Sequence, residues 1–128
     1  MAVGLVAAVF LSACEVPTTG SVEGQDVPVF RLAGTGAAGE FAVQDDTGVA
    51  WSIRPLNGGF VEISKMSPIT YGTIPSGWTQ KFPKDGAKPP ALREGVRYGA
   101  GAATVNAMGG GCYFLVKDGR AVELNSHE

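Results

Sequence analysis

From Val27 onward the chain is a succession of short runs in which apolar and polar residues alternate, each closed by a turn signal. A period of two sends successive side chains to opposite faces of a strand. Val27-Pro28-Val29-Phe30-Arg31-Leu32 reads as the first such strand, with Pro28 tolerated near a strand start or an edge. Gly34 to Gly39 reads as a loop of small residues, and Phe41-Ala42-Val43-Gln44 as a second short strand. Asp45-Asp46-Thr47-Gly48 has the residues that turn dihedrals favour. Val49, Trp51 and Ile53 then share a face, Asn57-Gly58 is a tight-turn pair, and Phe60, Val61 and Ile63 lead back. Residues Val49 to Ser64 are therefore expected to form one hairpin.

Ile69, Tyr71 and Ile74 suggest a further strand, which Pro75-Ser76-Gly77 breaks and Trp78-Thr79-Gln80-Lys81-Phe82 resumes. Pro83 to Pro90 holds three prolines and two lysines and is an exposed loop, since proline lacks the amide hydrogen that a central strand needs. Gly99 to Thr104 has little side-chain bulk, which suggests a bulged or edge strand. Cys112-Tyr113-Phe114-Leu115-Val116-Lys117 carries the strongest strand pattern. Asp118-Gly119 turns it, Arg120 to Leu124 pairs back, and residues 125–128 form a tail. No stretch carries helical periodicity and no fixed repeat emerges. Eight or nine short strands with frequent turns predict an all-β antiparallel sandwich over residues 27–124.

Leu92, Gly95 and Tyr98 are spaced as a core leucine, a turning glycine and a tyrosine whose hydroxyl bonds back to the nearby backbone. This spacing resembles the tyrosine corner of immunoglobulin and fibronectin type III domains. The resemblance covers about eight residues, and Glu94 stands where a proline often precedes the glycine. It implies an immunoglobulin-like sandwich.

The first thirteen residues, Met-Ala-Val-Gly-Leu-Val-Ala-Ala-Val-Phe-Leu-Ser-Ala, carry no charge. The run is shorter than the roughly 17–25 residues that cross a bilayer. It matches the apolar region of a secretory signal, although no Lys or Arg precedes it. It ends in Leu11-Ser12-Ala13-Cys14, which resembles the lipobox of bacterial lipoproteins. That resemblance implies cleavage before Cys14 and lipid on its sulfur, with residues 1–13 as signal peptide. The competing reading is a buried first strand or helix of the domain. Residues 14–26, rich in Pro, Thr, Gly and Ser, are then a flexible tether. The address implied is the bacterial envelope, with the domain facing the periplasm or the exterior and the membrane as a partner through Cys14.

Composition narrows the function classes. The 128 residues are 45% hydrophobic and 17% charged, which excludes a disordered chain and leaves room for one domain. Nineteen glycines and eight prolines fit a turn-rich all-β chain. A formal charge of −2 with scattered basic residues argues against nucleic-acid binding. Lipidation of Cys14 leaves Cys112 without a partner, as a small buried hydrophobe or a functional or intermolecular thiol; a Cys14–Cys112 disulfide is the further alternative and would overturn the lipoprotein reading.

Catalytic chemistry finds little footing. His127 is the one histidine and sits next to the chain's last residue, so it makes a poor base. No Cys/His cluster has zinc spacing, and no cofactor motif occurs. Asp45-Asp46 offers oxygen ligands for calcium but reads more simply as a solvated turn. Gly109-Gly110-Gly111 lacks the Lys-Ser/Thr ending and the following helix of a phosphate loop. Glu62, Glu94 and Glu123 are far apart in sequence, with nothing favouring a glycosidase pair. The remaining candidate is a binding surface of Tyr71, Trp78, Gln80 and Phe82 beside the proline loop, since aromatic residues are enriched in binding hot spots. Against it stands the alternative that Tyr71 and Trp78 fill the core with Trp51. The chain is thus expected to be a noncatalytic envelope lipoprotein binding a protein, peptide or glycan. A structural subunit of an envelope or secretion assembly is the alternative, and a hydrolase a more distant one.

Overall fold

Ten strands pair into two antiparallel sheets in the computed structural model, which describes residues 13–104 and 111–124. They are β1 (Ala13–Val22), β2 (Gln25–Ala33), β3 (Ala37–Asp45), β4 (Gly48–Pro55), β5 (Val61–Glu62), β6 (Ile69–Thr70), β7 (Trp78–Phe82), β8 (Arg97–Thr104), β9 (Gly111–Lys117) and β10 (Arg120–Leu124). The smaller sheet runs β1-β2-β6. The larger runs β10-β9-β8-β3-β4-β7, with β5 beside the start of β3. Among the described residues the only helical turns are short 3-10 segments at Ile63–Lys65 and Lys84–Gly86. The all-β antiparallel architecture expected from the alternating pattern is present, and it is consistent with a sandwich.

The core follows from that alternation. Phe41 and Val43 on β3, Trp51 and Ile53 on β4, and Phe114 and Val116 on β9 face inward and are buried. Phe30 of β2 meets Phe41 at 5.3 Å and Phe114 at 5.6 Å between ring centroids, joining the two sheets. Trp51 continues the contacts to Tyr71, and Phe114 stacks on Tyr98. Such pairs contribute about 0.5–1.5 kcal/mol each beyond the apolar area they bury. The tyrosine corner forms as its spacing implies. The Arg93 amide donates to the Tyr98 hydroxyl at 2.9 Å, and Gly95 takes the positive φ of 78° that the turn requires.

Four features depart from the sequence reading. Residues 14–26, expected as a flexible tether, are mostly the β1–β2 hairpin, turned at Glu23-Gly24. β1 has few apolar residues and buries only Cys14 and Val16 strongly, so backbone pairing to β2, rather than a hydrophobic face, orders it. The Val49–Ser64 segment is not one hairpin: β4 pairs with β3 and β7, while β5 returns to the start of β3. β8 is a central strand between β3 and β9, not an edge. Its small residues suit that place, since Ala100, which pairs with Cys112, and Ala102 are buried there.

The last departure concerns Cys14. It is joined to Cys112 by a disulfide, with Cα atoms 5.1 Å apart, tying β1 to β9. Of the alternatives open for the two cysteines, the structure shows the cross-link. One sulfur cannot hold both a disulfide and a thioether-linked lipid, so the cross-link excludes the lipid expected on Cys14.

Candidate functional site

The four residues expected to form a binding surface do not assemble into one. Tyr71 and Trp78 are buried, 3% and 8% exposed. Burial pushes the Tyr71 hydroxyl pKa upward, and that hydroxyl donates to the Pro90 carbonyl at 2.8 Å. Gln80 has its amide engaged on both sides. Its Oε1 accepts from Trp51 Nε1 at 2.9 Å, and its Nε2 donates to the carbonyls of Pro83 and Ala87. Phe82 alone remains on the surface. The alternation of β7 turns Trp78 inward to the core, and the proline loop needs two polar fasteners, which Tyr71 and Gln80 supply.

The other sequence candidates are engaged separately. Glu62 pairs with Lys65, Glu94 accepts from the Asp118 and Gly119 amides, and Glu123 accepts from the Val16 amide. The two turn amides hold the Glu94 carboxyl below the usual carboxylate range. No three-residue His/Cys/Asp/Glu group suited to a metal occurs among the described residues. His127 lies outside them, as do the tail at 125–128, the first two glycines of Gly109–Gly111, and residues 1–12 of the apolar run.

A cleft of about 710 Å³ opens where the Asp45–Gly48 turn meets the approach to β8. Gln44, Asp45 and Asp46 line one side; Arg93, Arg97, Gly99 and Tyr113 line the other. The period of β9 creates it: Cys112, Phe114 and Val116 point inward, so Tyr113 points out and stays 40% exposed. Gly99 lies opposite Tyr113 in register, and a Cβ there would stand 3.3 Å from the ring. The phenol ring thus lies against Gly99, in the space a side chain there would need. The Arg97 guanidinium sits 4.9 Å from the ring centroid, a cation–π distance.

Asp45 fixes the opposite wall. Its Oδ1 accepts from the Thr47 amide and hydroxyl, and its Oδ2 accepts from Arg93 at 3.0 Å. Thr47 chiefly, with help from Arg93, holds the Asp45 carboxyl below its ordinary pKa. The same contact, with the Tyr98 hydroxyl, raises the Arg93 pKa. The carboxylate expected in a solvated turn is therefore an anchor that joins the β3–β4 turn to the tyrosine corner. The sequence did carry a signal for Tyr113: alternation across Cys112–Val116 predicts it outward. Its pairing with Gly99 and its meeting with the Asp45 turn come only from strand order.

A second groove, of about 670 Å³, runs between the β1–β2 turn and the proline loop. Val27, Pro28 and Tyr71 line it, and the Lys88–Glu23 ion pair links the loop to the hairpin. Its polar contacts fasten the loop to the body of the domain.

Comparison of the chain with known protein families, with curated proteins and with solved structures finds no match.

Proposed function

We propose that this chain is a noncatalytic binding module of the bacterial envelope, an immunoglobulin-like sandwich that takes a neutral glycan in the Tyr113 cleft. The strand order supports the finer fold assignment. A β1-β2-β6 sheet against β9-β8-β3-β4 follows the division of an immunoglobulin-like domain, with the tyrosine corner leading into the strand where that family carries it. The observation that carries the binding reading is the cleft's composition. An exposed phenol, an amide and two carboxylates balanced by two guanidinium groups offer donors and acceptors without net charge. Hydroxyl-bearing ligands need both kinds of partner.

The disulfide supports an address outside the reducing cytosol, and the apolar run ending at Ala13 fits export. Lipid on Cys14 anchors the domain; the disulfide leaves it unanchored through that residue. Intact mass of the protein from a bacterial envelope separates the two. The edge strands argue for binding over assembly through strand pairing. β6 has two residues, the β10 side meets β1 through Glu123, and β7 carries Lys81 and is followed by Pro83.

The test is an array of envelope glycans probed with the full-length protein. Saturable binding that Tyr113→Ala abolishes supports the reading. Binding to peptides alone, or binding unchanged in Tyr113→Ala, refutes it.

A further inference from the structure

Gly99 has no backbone reason to be glycine. Its φ lies outside the left-handed region, and it sits within β8 between β3 and β9, where glycine weakens a strand relative to alanine. The core does not require it either. Tyr98, Ala100 and Ala102 are the buried residues of β8, so Gly99 faces the outer surface of the sheet. A Cβ there would stand 3.3 Å from Cε1 and 3.5 Å from Cδ1 of Tyr113, and apart from its chain neighbours no other described atom lies within 4 Å. The phenol is what the missing side chain makes room for.

The Tyr113 ring has two neighbours in register to lean on, Leu124 of β10 and Gly99 of β8. Leucine carries bulk and glycine none, and the ring lies against Gly99. Arg97, two residues along the same outward face of β8, holds its guanidinium over the ring, 4.9 Å from the centroid. Gln44 of β3 follows Gly99 in the same register line, and Gln44, Gly99, Arg97 and Tyr113 all line the cleft. The ring is thus laid into the cleft wall instead of standing free on the sheet.

We propose that Gly99 is a positioning residue of this cleft: by carrying no side chain it lets the Tyr113 ring lie on β8 under Arg97, and so fixes the phenol in the orientation that the glycan meets. This rests on the binding reading above. An exposed side chain on a strand otherwise changes rotamer freely, and immobilising it on binding lowers affinity. A ring ordered before the glycan arrives avoids that loss.

The test replaces Gly99 by alanine and by valine, both favoured over glycine in a strand. The full-length variants are titrated beside wild type on arrayed neutral oligosaccharides of glucose, galactose, mannose and N-acetylglucosamine. Gly99→Ala should weaken binding about 2–10-fold, the scale for immobilising one side chain. Gly99→Val should weaken it further, while the thermal melt of Gly99→Ala stays level or rises. Nuclear Overhauser contacts give a second readout without any sugar. Tyr113 ring protons should contact the Gly99 α-protons in wild type, and in Gly99→Val they should contact the Leu124 methyl groups instead. A melt that falls in step with affinity assigns the glycine to the fold and overturns the proposal. So does Gly99→Ala binding as tightly as wild type, or a free chain with no contact between ring and Gly99. The two readings fail apart: wild type that binds none of the sugars sinks the cleft reading and this one with it, whereas glycan binding that needs Tyr113 but is indifferent to Gly99 sinks the positioning role alone.

Discussion

Replacing Gln80 by alanine removes three hydrogen bonds that join the core to the proline loop. The largest part of the cost comes from Trp51. Its ring is fully buried, and its Nε1–H reaches only Gln80 Oε1, at 2.9 Å, among the described contacts. Leaving such a donor unpaired costs about 1–3 kcal/mol. The Pro83 and Ala87 carbonyls lie in a loop near solvent, where water can replace Nε2, so each lost bond adds at most about 0.5–1.5 kcal/mol. The sum is about 2–6 kcal/mol. For a domain of this size that lowers Tm by about 10–30 °C. Urea unfolding followed by tryptophan fluorescence should show a lower midpoint with an unchanged slope. A double-mutant cycle with Trp51→Phe isolates the buried donor, with Trp78 left as reporter. The expected coupling is at least about 1 kcal/mol, because removing the N–H removes the group that Gln80→Ala orphans. A Gln80→Ala cost below about 0.5 kcal/mol, or single costs that add within about 0.5 kcal/mol, refutes the reasoning.

Two further outcomes test the tyrosine corner and the turn it anchors. Tyr98→Phe keeps the stacking on Phe114 and loses the bond from the Arg93 amide, so it should destabilise by about 0.5–1.5 kcal/mol in urea unfolding. Asp45 titrates below its ordinary value of 3.8, so its contribution to stability is present above pH 3.8 and is lost as pH falls through the lower folded value. Asp45→Asn should therefore lower the unfolding midpoint at neutral pH, and the gap to wild type should close in acid; a gap independent of pH contradicts the assignment.

Much of the inward face was legible because a strand half exposed to water writes its burial as alternation. Phe41/Val43, Trp51/Ile53 and Phe114/Val116 show it plainly. β1 was not legible because its order comes from backbone pairing, which leaves no hydrophobic signature in Thr18, Thr19 and Ser21. Tyr71 and Trp78 misled for a related reason: aromatic residues serve both cores and binding surfaces, and only the facing of β7 and the path after β6 distinguish them. Gln80 looked like a ligand contact because a polar side chain between aromatics does not reveal that its partner is a buried indole.

The sequence by itself determined the all-β class, the Asp-Gly and Asn-Gly turns and the tyrosine corner, because these depend on residues a few positions apart. Tertiary structure decided the rest. Cys112 is 98 residues from Cys14, Arg93 is 48 from Asp45, and Gln80 is 29 from Trp51. Contacts at such separations depend on which strands become neighbours, and that is settled by the packing of two sheets rather than by any local pattern.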